Sequence, residues 1–127
     1  MEAPRGRLVR GRISHLFLKV RDLDAMVAFY HDILGFRIDY HVAGEAAFLS
    51  LGGGIRLAFY PGRTAEAAER DWFLVIDVDD VERSAADLAA AHVEVTPVEN
   101  VPYGRAATLR DPDGNVIEIH QPRGHEI

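Results

Sequence analysis

The sequence predicts an α+β protein made of two tandem βαβββ units, and three observations support this. A two-residue hydrophobic alternation gives way to helical spacing twice along the 127 residues. An aspartate suited to capping a helix follows the opening strand of each half, at Asp22 and at Asp80. The apolar positions of the two halves also match in order and spacing, which is typical of one supersecondary unit used twice.

The first unit is predicted to span residues 13–61. Its opening strand, 13–20, alternates apolar and other residues. Apolar residues then recur at helical spacing from Leu23 to Leu34, and Gly35 is a suitable C-terminal stop. Three further strands are predicted at 36–42, 46–51 and 55–60, separated by turns that contain glycines.

The second unit is predicted to span residues 72–122, after a polar linker at 62–71. A strand at 72–78 precedes a helix whose apolar stripe is Val81, Ala85, Leu88, Ala89 and His92. Strands are predicted at 93–96, 103–110 and 115–121, and an Asp-Pro-Asp-Gly turn joins the last two. Residues 1–12 are predicted to be a flexible basic leader and 123–127 a tail, with one compact domain overall.

The two units can be aligned residue by residue. Ile55 and Leu57 match Ile117 and Ile119, which makes Arg56 the equivalent of Glu118. The earlier matches share one constant offset: Leu16, Leu18, Val20, Asp22 and Leu23 correspond to Leu74, Ile76, Val78, Asp80 and Val81.

Composition and charge exclude several classes of function. Apolar residues make up 48% of the chain and charged residues 27%, as in globular proteins. Without cysteine there is no disulfide, no thiolate nucleophile and no cysteine-ligated metal. The net charge of −6 disfavours nucleic acid as a partner. No apolar run reaches the roughly 20 residues of a membrane span, and no secretory signal is evident, so a cytoplasmic location is expected.

Three local sequences resemble the vicinal oxygen chelate superfamily, which includes glyoxalases, bleomycin-resistance proteins and extradiol dioxygenases. Segment 15–23 (HLFLKVRDL) resembles the opening strand of that family, and segment 29–36 (FYHDILGF) resembles its first helix ending. Segment 111–118 (DPDGNVIE), preceded by Gly104-Arg105, resembles its closing hairpin. The resemblance covers about residues 13–122 and follows the family order.

The resemblance implies that each unit curls its strands into half of a cup, so that the two units form a curved mixed sheet with helices outside. One face of the strands should then face the helices: Leu16, Leu18, Val20, Ile55, Leu57, Phe59, Leu74, Ile76, Val78, Ile117 and Ile119. The opposite face should line a cavity: His15, Phe17, Arg56, Ala58, Tyr60, Phe73, Val75, Glu118 and His120.

The family's metal ligands match four positions here, namely His15, Arg56, Phe73 and Glu118. Phe73 has no donor atom and Arg56 is a permanent cation, so the resemblance implies an incomplete metal site. Because ligand positions converge in the family, Arg56 is expected near Glu118, as a charge-assisted pair. A metal-free cavity is therefore favoured.

One alternative restores a metal site. His120 shares a strand face with Glu118, and together with His15 it would complete the two-histidine, one-carboxylate set of iron enzymes. His41 is a further candidate donor. Under this interpretation the cofactor is one divalent ion of iron, zinc, nickel or manganese.

Three functions remain open. The favoured one is a small-molecule-binding protein of the bleomycin-resistance type, with an aromatic cavity for an anionic or aromatic ligand and an arginine that anchors an anionic group. The second is a metal-dependent glyoxalase-type lyase or isomerase, or an extradiol-type dioxygenase, with His15 and Glu118 as catalytic residues and ligands. The third is a metal-independent enzyme with Glu118 as general base. The resemblance also implies a homodimer. The predicted ligand-binding residues are Phe17, Arg56, Tyr60, Phe73, Tyr103 and His120.

Overall fold

The computed structural model describes residues 12–63, 73–102 and 104–123. They form two four-stranded mixed sheets, each with a helix after its first strand. None of the helices in these ranges is long and apolar enough to cross a membrane. The elements are β1 (His15–Val20), α1 (Leu23–Ala28) with a π-helical turn (Phe29–Ile33), β2 (Arg37–Val42), β3 (Ala46–Ser50), β4 (Arg56–Pro61), β5 (Leu74–Asp77), α2 (Val81–Ala90), β6 (Glu99–Val101), β7 (Gly104–Arg110) and β8 (Val116–Pro122).

The two units repeat one topology, as the sequence predicts. The strand orders are β1-β4-β3-β2 and β5-β8-β7-β6, and the first strand of each unit runs parallel to its last. The helix caps repeat as well. Asp22 Oδ1 accepts a hydrogen bond from the Ala25 amide at 3.0 Å, and Asp80 Oδ1 accepts one from the Arg83 amide at 3.1 Å. Each such cap stabilises its helix by about 1 kcal/mol.

The strand predicted at 93–96 is wrong, since the second strand of the second unit is β6, a few residues later. Thr96 does bond to β7, because its amide donates to the Thr108 carbonyl at 3.0 Å. Pro97 follows immediately and has no amide hydrogen, so the ladder cannot continue through it.

At the end of each helix, the buried residues differ from those of the predicted apolar stripe. The first ends in the π-helical turn, where Phe29 is buried and Ile33 is 39% exposed. A π turn holds more residues than an α turn, so it rotates the last residues relative to the stripe. In the second unit, α2 stops at Ala90, and both Ala89 and His92 are exposed. His92 adopts a left-handed conformation with φ of 66° just after the helix end.

The buried residues of the two units form one hydrophobic cluster. The helix-facing prediction is confirmed for the middle of the strands but is wrong at their starts, where Leu16 is 39% and Ile55 53% exposed. Leu16 lies near the start of β1 and Ile55 just before β4. Both are therefore far from the end of β1 where the chain enters α1. The confirmed residues with less than a tenth of their surface exposed are Leu18, Val20, Leu57, Phe59, Ile117 and Ile119.

A single turn, residues 111–115, carries every hydrogen bond between the two units within the described ranges. The Tyr30 hydroxyl donates to Asp111 Oδ2 at 2.8 Å. Arg21 Nε and Arg63 Nη1 lie 3.1 Å and 2.6 Å from the carboxylate oxygens of Asp113, whose side chain is 2% exposed. Burial would raise the pKa of Asp113, but hydrogen bonds from Arg63 and Arg21 outweigh it and hold that pKa below its usual value.

Candidate functional site

The face of the first sheet opposite α1 carries two adjacent rows of side chains. Strand register aligns His15, Arg56, Ser50 and Arg37 across all four strands as a polar row. The next row on the same face consists of Phe17, Ala58, Phe48 and Tyr40. The two rows are two residues apart along β1, β3 and β4, which is about 6.6 Å.

Aromatic rings cover much of this face and remain accessible. Phe17 packs edge-on against Tyr60, with ring centroids 4.6 Å apart. Phe48 lies at the centre of a second group, 5.1 Å from the His15 ring and 6.2 Å from the Tyr40 ring. Phe17, Tyr40 and Tyr60 are 42%, 52% and 44% exposed. Large aromatic side chains this open on a sheet face are typical of a binding surface.

Arg56 is half-buried and lies within this aromatic group. Its guanidinium carbon is 5.3 Å from the centroid of the Phe48 ring, a cation–π geometry. A β-bulge between Ile38 and Tyr40 brings Asp39 close to the same group. The Arg37 guanidinium, 2.7 Å away, lowers the pKa of Asp39, and the charge of Arg56 adds to this effect.

The matching face of the second sheet is polar and acidic. Glu118 lies opposite Val75 on one side and Thr108 on the other. It is half-buried and has no ion pair or side-chain hydrogen bond with any described residue. His120 is 6% exposed, and its Nδ1 lies 3.0 Å from Asp77 Oδ1.

The predicted pairing of Arg56 with Glu118 is wrong for a single chain. The described residues form no ion pair between them, and the two side chains lie on different sheets. Strand register also departs from the sequence repeat. His15 is the neighbour of Arg56 in the first unit, but Val75, and not Phe73, is the neighbour of Glu118 in the second. Relative to the strand register, the residue-by-residue alignment of the two units is therefore out by two residues.

The donors at the family ligand positions do not fit a metal ion. Only His15 and Glu118 of the four have lone pairs to offer, and they belong to different sheets. Among the residues the structure describes, no group of three His, Cys, Asp or Glu side chains could hold an ion. The alternative donor His41 is engaged elsewhere, because its Nε2 lies 3.1 Å from Asp24 Oδ1.

The other predicted ligand-binding residues are dispersed. Phe17, Arg56 and Tyr60 share the open face of the first sheet, whereas His120 is buried on the second. Phe73 is 50% exposed and precedes β5. Tyr103 lies outside the described residues.

Sequence reasoning missed four residues of this face as site residues: Arg37, Tyr40, Phe48 and Ser50. Alternation along β3 places Phe48 and Ser50 on the face opposite the buried Ala47 and Leu49, a signal the sequence does contain. Tyr40 follows the bulge, which no feature of the sequence reveals.

A cleft of about 260 Å³ separates the start of the first sheet from the outer strand of the second. It is bordered by Leu16, Ile55 and Arg56 on one side and by Val75 and Asp77 on the other. Arg56 thus lies between the aromatic face and the gap between the units.

Comparison with known proteins gives a consistent result. The chain is 30% identical over 125 residues to a probable lactoylglutathione lyase from Vibrio parahaemolyticus, covering 87% of this chain and 91% of that protein. Its fold is similar to TnmS3, an antibiotic-binding protein from Streptomyces sp. CB03234, with a TM-score of 0.74 and 25% identity over 91% of this chain and 99% of that one.

A second solved structure, the bleomycin-binding protein from bleomycin-producing Streptomyces verticillus complexed with copper(II)-bleomycin, matches with a TM-score of 0.69 and 26% identity, covering 91% of this chain and all of that one. The family model described as the glyoxalase/bleomycin resistance protein/dioxygenase superfamily matches residues 12–119. The chain therefore belongs to the glyoxalase/bleomycin resistance protein/dioxygenase superfamily.

Proposed function

We propose that this protein is a cytoplasmic binding protein for a small aromatic molecule and holds no resident metal. The observation that carries the proposal is the open aromatic face of the first sheet, where Phe17, Tyr40 and Tyr60 are each more than two-fifths exposed. Aromatic walls of this kind bind flat apolar ligands.

Two further points support binding over metal chemistry. Arg56, a permanent cation with no lone pair to offer, lies on the open face and contacts the Phe48 ring, which disfavours a metal ion beside it. Two structural neighbours are named as binding an antibiotic or bleomycin. The family often uses a divalent metal, so metal content belongs in the test.

The proposal predicts that neutral aromatic compounds bind at the first sheet. Titration with 2-naphthamide, followed by two-dimensional amide NMR, should shift the signals of β1, β3 and β4. Phe17→Ala should weaken binding roughly three- to tenfold, because one aromatic contact contributes about 1 kcal/mol. Copper(II)-bleomycin is a second probe, chosen because a neighbour binds it.

Ile33→Ala is the matched control, since Ile33 is apolar, 39% exposed and outside the aromatic face. It should leave affinity unchanged. Equal losses in both variants, or shifts confined to the second sheet, would contradict the proposed location. Elemental mass spectrometry of protein purified without chelator measures the metal content. A near-stoichiometric divalent ion would overturn the metal-free part of the proposal.

We propose further that two copies associate through the outer strands β1 and β5. Both strands lie at an edge of their sheet, and such edges favour pairing with another chain. Stable interfaces bury about 800 Å² on each partner and have apolar centres. Four exposed large apolar residues outside the aromatic face lie on or beside these two strands: Ile13, Leu16, Phe73 and Val75.

Sedimentation velocity should therefore report a particle of twice the 14.1 kDa chain mass. Val75→Lys should shift the distribution to the monomer, because a lysine charge would be buried at the interface. Ile33→Lys introduces the same charge elsewhere and should leave the dimer intact. A monomer in the unsubstituted protein at every concentration would refute the association.

A further inference from the structure

We propose that the polar row of the first sheet is a subsite for the carboxylate of a singly charged aromatic acid. Arg56, Ser50 and Arg37 would form it within one unit, without Glu118. This inference rests on the proposed binding function and names the class of ligand.

The first observation concerns the Ser50 hydroxyl. Ser50 is 6% exposed, and its Oγ has no hydrogen-bond partner among the described residues. Strand register places it between Arg56 and Arg37 on the open face. The Ser50 hydroxyl helps to lower the pKa of the Asp39 carboxyl, but the contact between the two groups does not meet hydrogen-bond geometry. A buried hydroxyl without a partner costs about 1–3 kcal/mol, and a ligand oxygen would remove that cost.

The second observation is the charge of the group. Two arginines, Arg37 and Arg56, face one carboxylate, Asp39, and Arg37 pairs with it at 2.7 Å. One positive charge remains, which matches a carboxylate better than a doubly charged phosphate monoester. The Arg37 side chain is 75% exposed, so it can move to admit a ligand oxygen over Ser50.

The third observation is the spacing of the two rows. The aromatic row with Phe48 lies about 6.6 Å along the strands from the polar row with Ser50. That distance is close to the span from the distal ring of a two-ring acid such as 2-naphthoate to its carboxylate oxygens. A flat acid could therefore stack near Phe48 while its carboxylate accepts hydrogen bonds from Arg56 and Ser50.

The test compares 2-naphthoate with its neutral analogue 2-naphthamide by amide NMR titration of the full chain. Ser50→Ala should weaken the binding of 2-naphthoate about tenfold, because hydrogen bonds to charged groups are stronger than those between neutral groups. The same substitution should change the affinity for 2-naphthamide less than about threefold. Arg37→Gln should weaken the binding of 2-naphthoate severalfold. Because Arg37 is exposed, this variant provides the test if Ser50→Ala does not fold. Asp39→Asn should shift the preference toward 2-naphthyl phosphate by adding net positive charge.

Equal effects of Ser50→Ala and Arg37→Gln on the two probes, including no effect on either, would overturn the carboxylate subsite while leaving the binding function standing. If neither probe binds the unsubstituted protein, the proposed function itself fails.

Discussion

Replacing Asp113 with asparagine is expected to lower the free energy of unfolding by about 3 kcal/mol, since removing one partner of a buried ion pair typically costs 3–5 kcal/mol. The Asp113 side chain is 2% exposed and pairs with Arg21 and Arg63 at the joint between the units. The lower end of the range applies because Arg21 is 36% exposed and therefore partly screened. The Asp113 carbonyl also still accepts from both arginines.

Urea unfolding monitored by circular dichroism measures this change, with Asp87→Asn on the exposed side of α2 as the control. The same substitution should remove part of the acid sensitivity. A carboxyl with a lowered folded pKa contributes stability above its unfolded value, about 3.9, and loses it as the pH falls through the folded pKa. Unfolding free energies of the variant and the parent should therefore converge below about pH 4. A constant gap down to pH 2 would contradict the assigned cause.

The βαβββ repeat could be predicted because it depends on local signals. Hydrophobic alternation and the two capping aspartates act over a few residues, and both caps form as expected. Element ends were less predictable, since the π-helical turn at Phe29–Ile33 depends on packing that one segment does not reveal. The stop at Pro97 follows from its missing amide hydrogen and could have been predicted.

The site was harder to predict than the fold because it depends on register between strands distant in sequence. Matching Ile55 with Ile117 made Arg56 the equivalent of Glu118, but the observed register pairs Glu118 with Val75. A shift of two residues keeps every side chain on its original face, so hydrophobic patterning cannot detect it. Phe17 and Tyr60 of the aromatic face were predicted, whereas Tyr40, Phe48 and the bulge that brings Asp39 to this face were not.

The register of the second sheet leads to another strong expectation. Gly104→Ala should lower the free energy of unfolding by about 3 kcal/mol, at the upper end of the cost of overpacking. Gly104 lies opposite Pro122 in the β7–β8 pair. A Cβ atom there would overlap the Gln121 carbonyl oxygen and approach the Gln121 carbonyl carbon and His120 Nε2 to 3.0 Å. Two of these three atoms are backbone, so the strands themselves would have to separate.

Gly44→Ala separates this close approach from the effect of backbone conformation. Gly44 has φ of 70°, and a Cβ there would meet nothing within 4 Å, so only conformational strain of about 1 kcal/mol is expected. Urea unfolding of both variants gives the comparison. The His120 ring signals in NMR should also move in Gly104→Ala and stay in place in Gly44→Ala, because only the first substitution reaches His120 Nε2. Similar losses of stability in the two variants would mean that β7 and β8 yield at Gly104, and the tight approach beside His120 would then not constrain the second sheet.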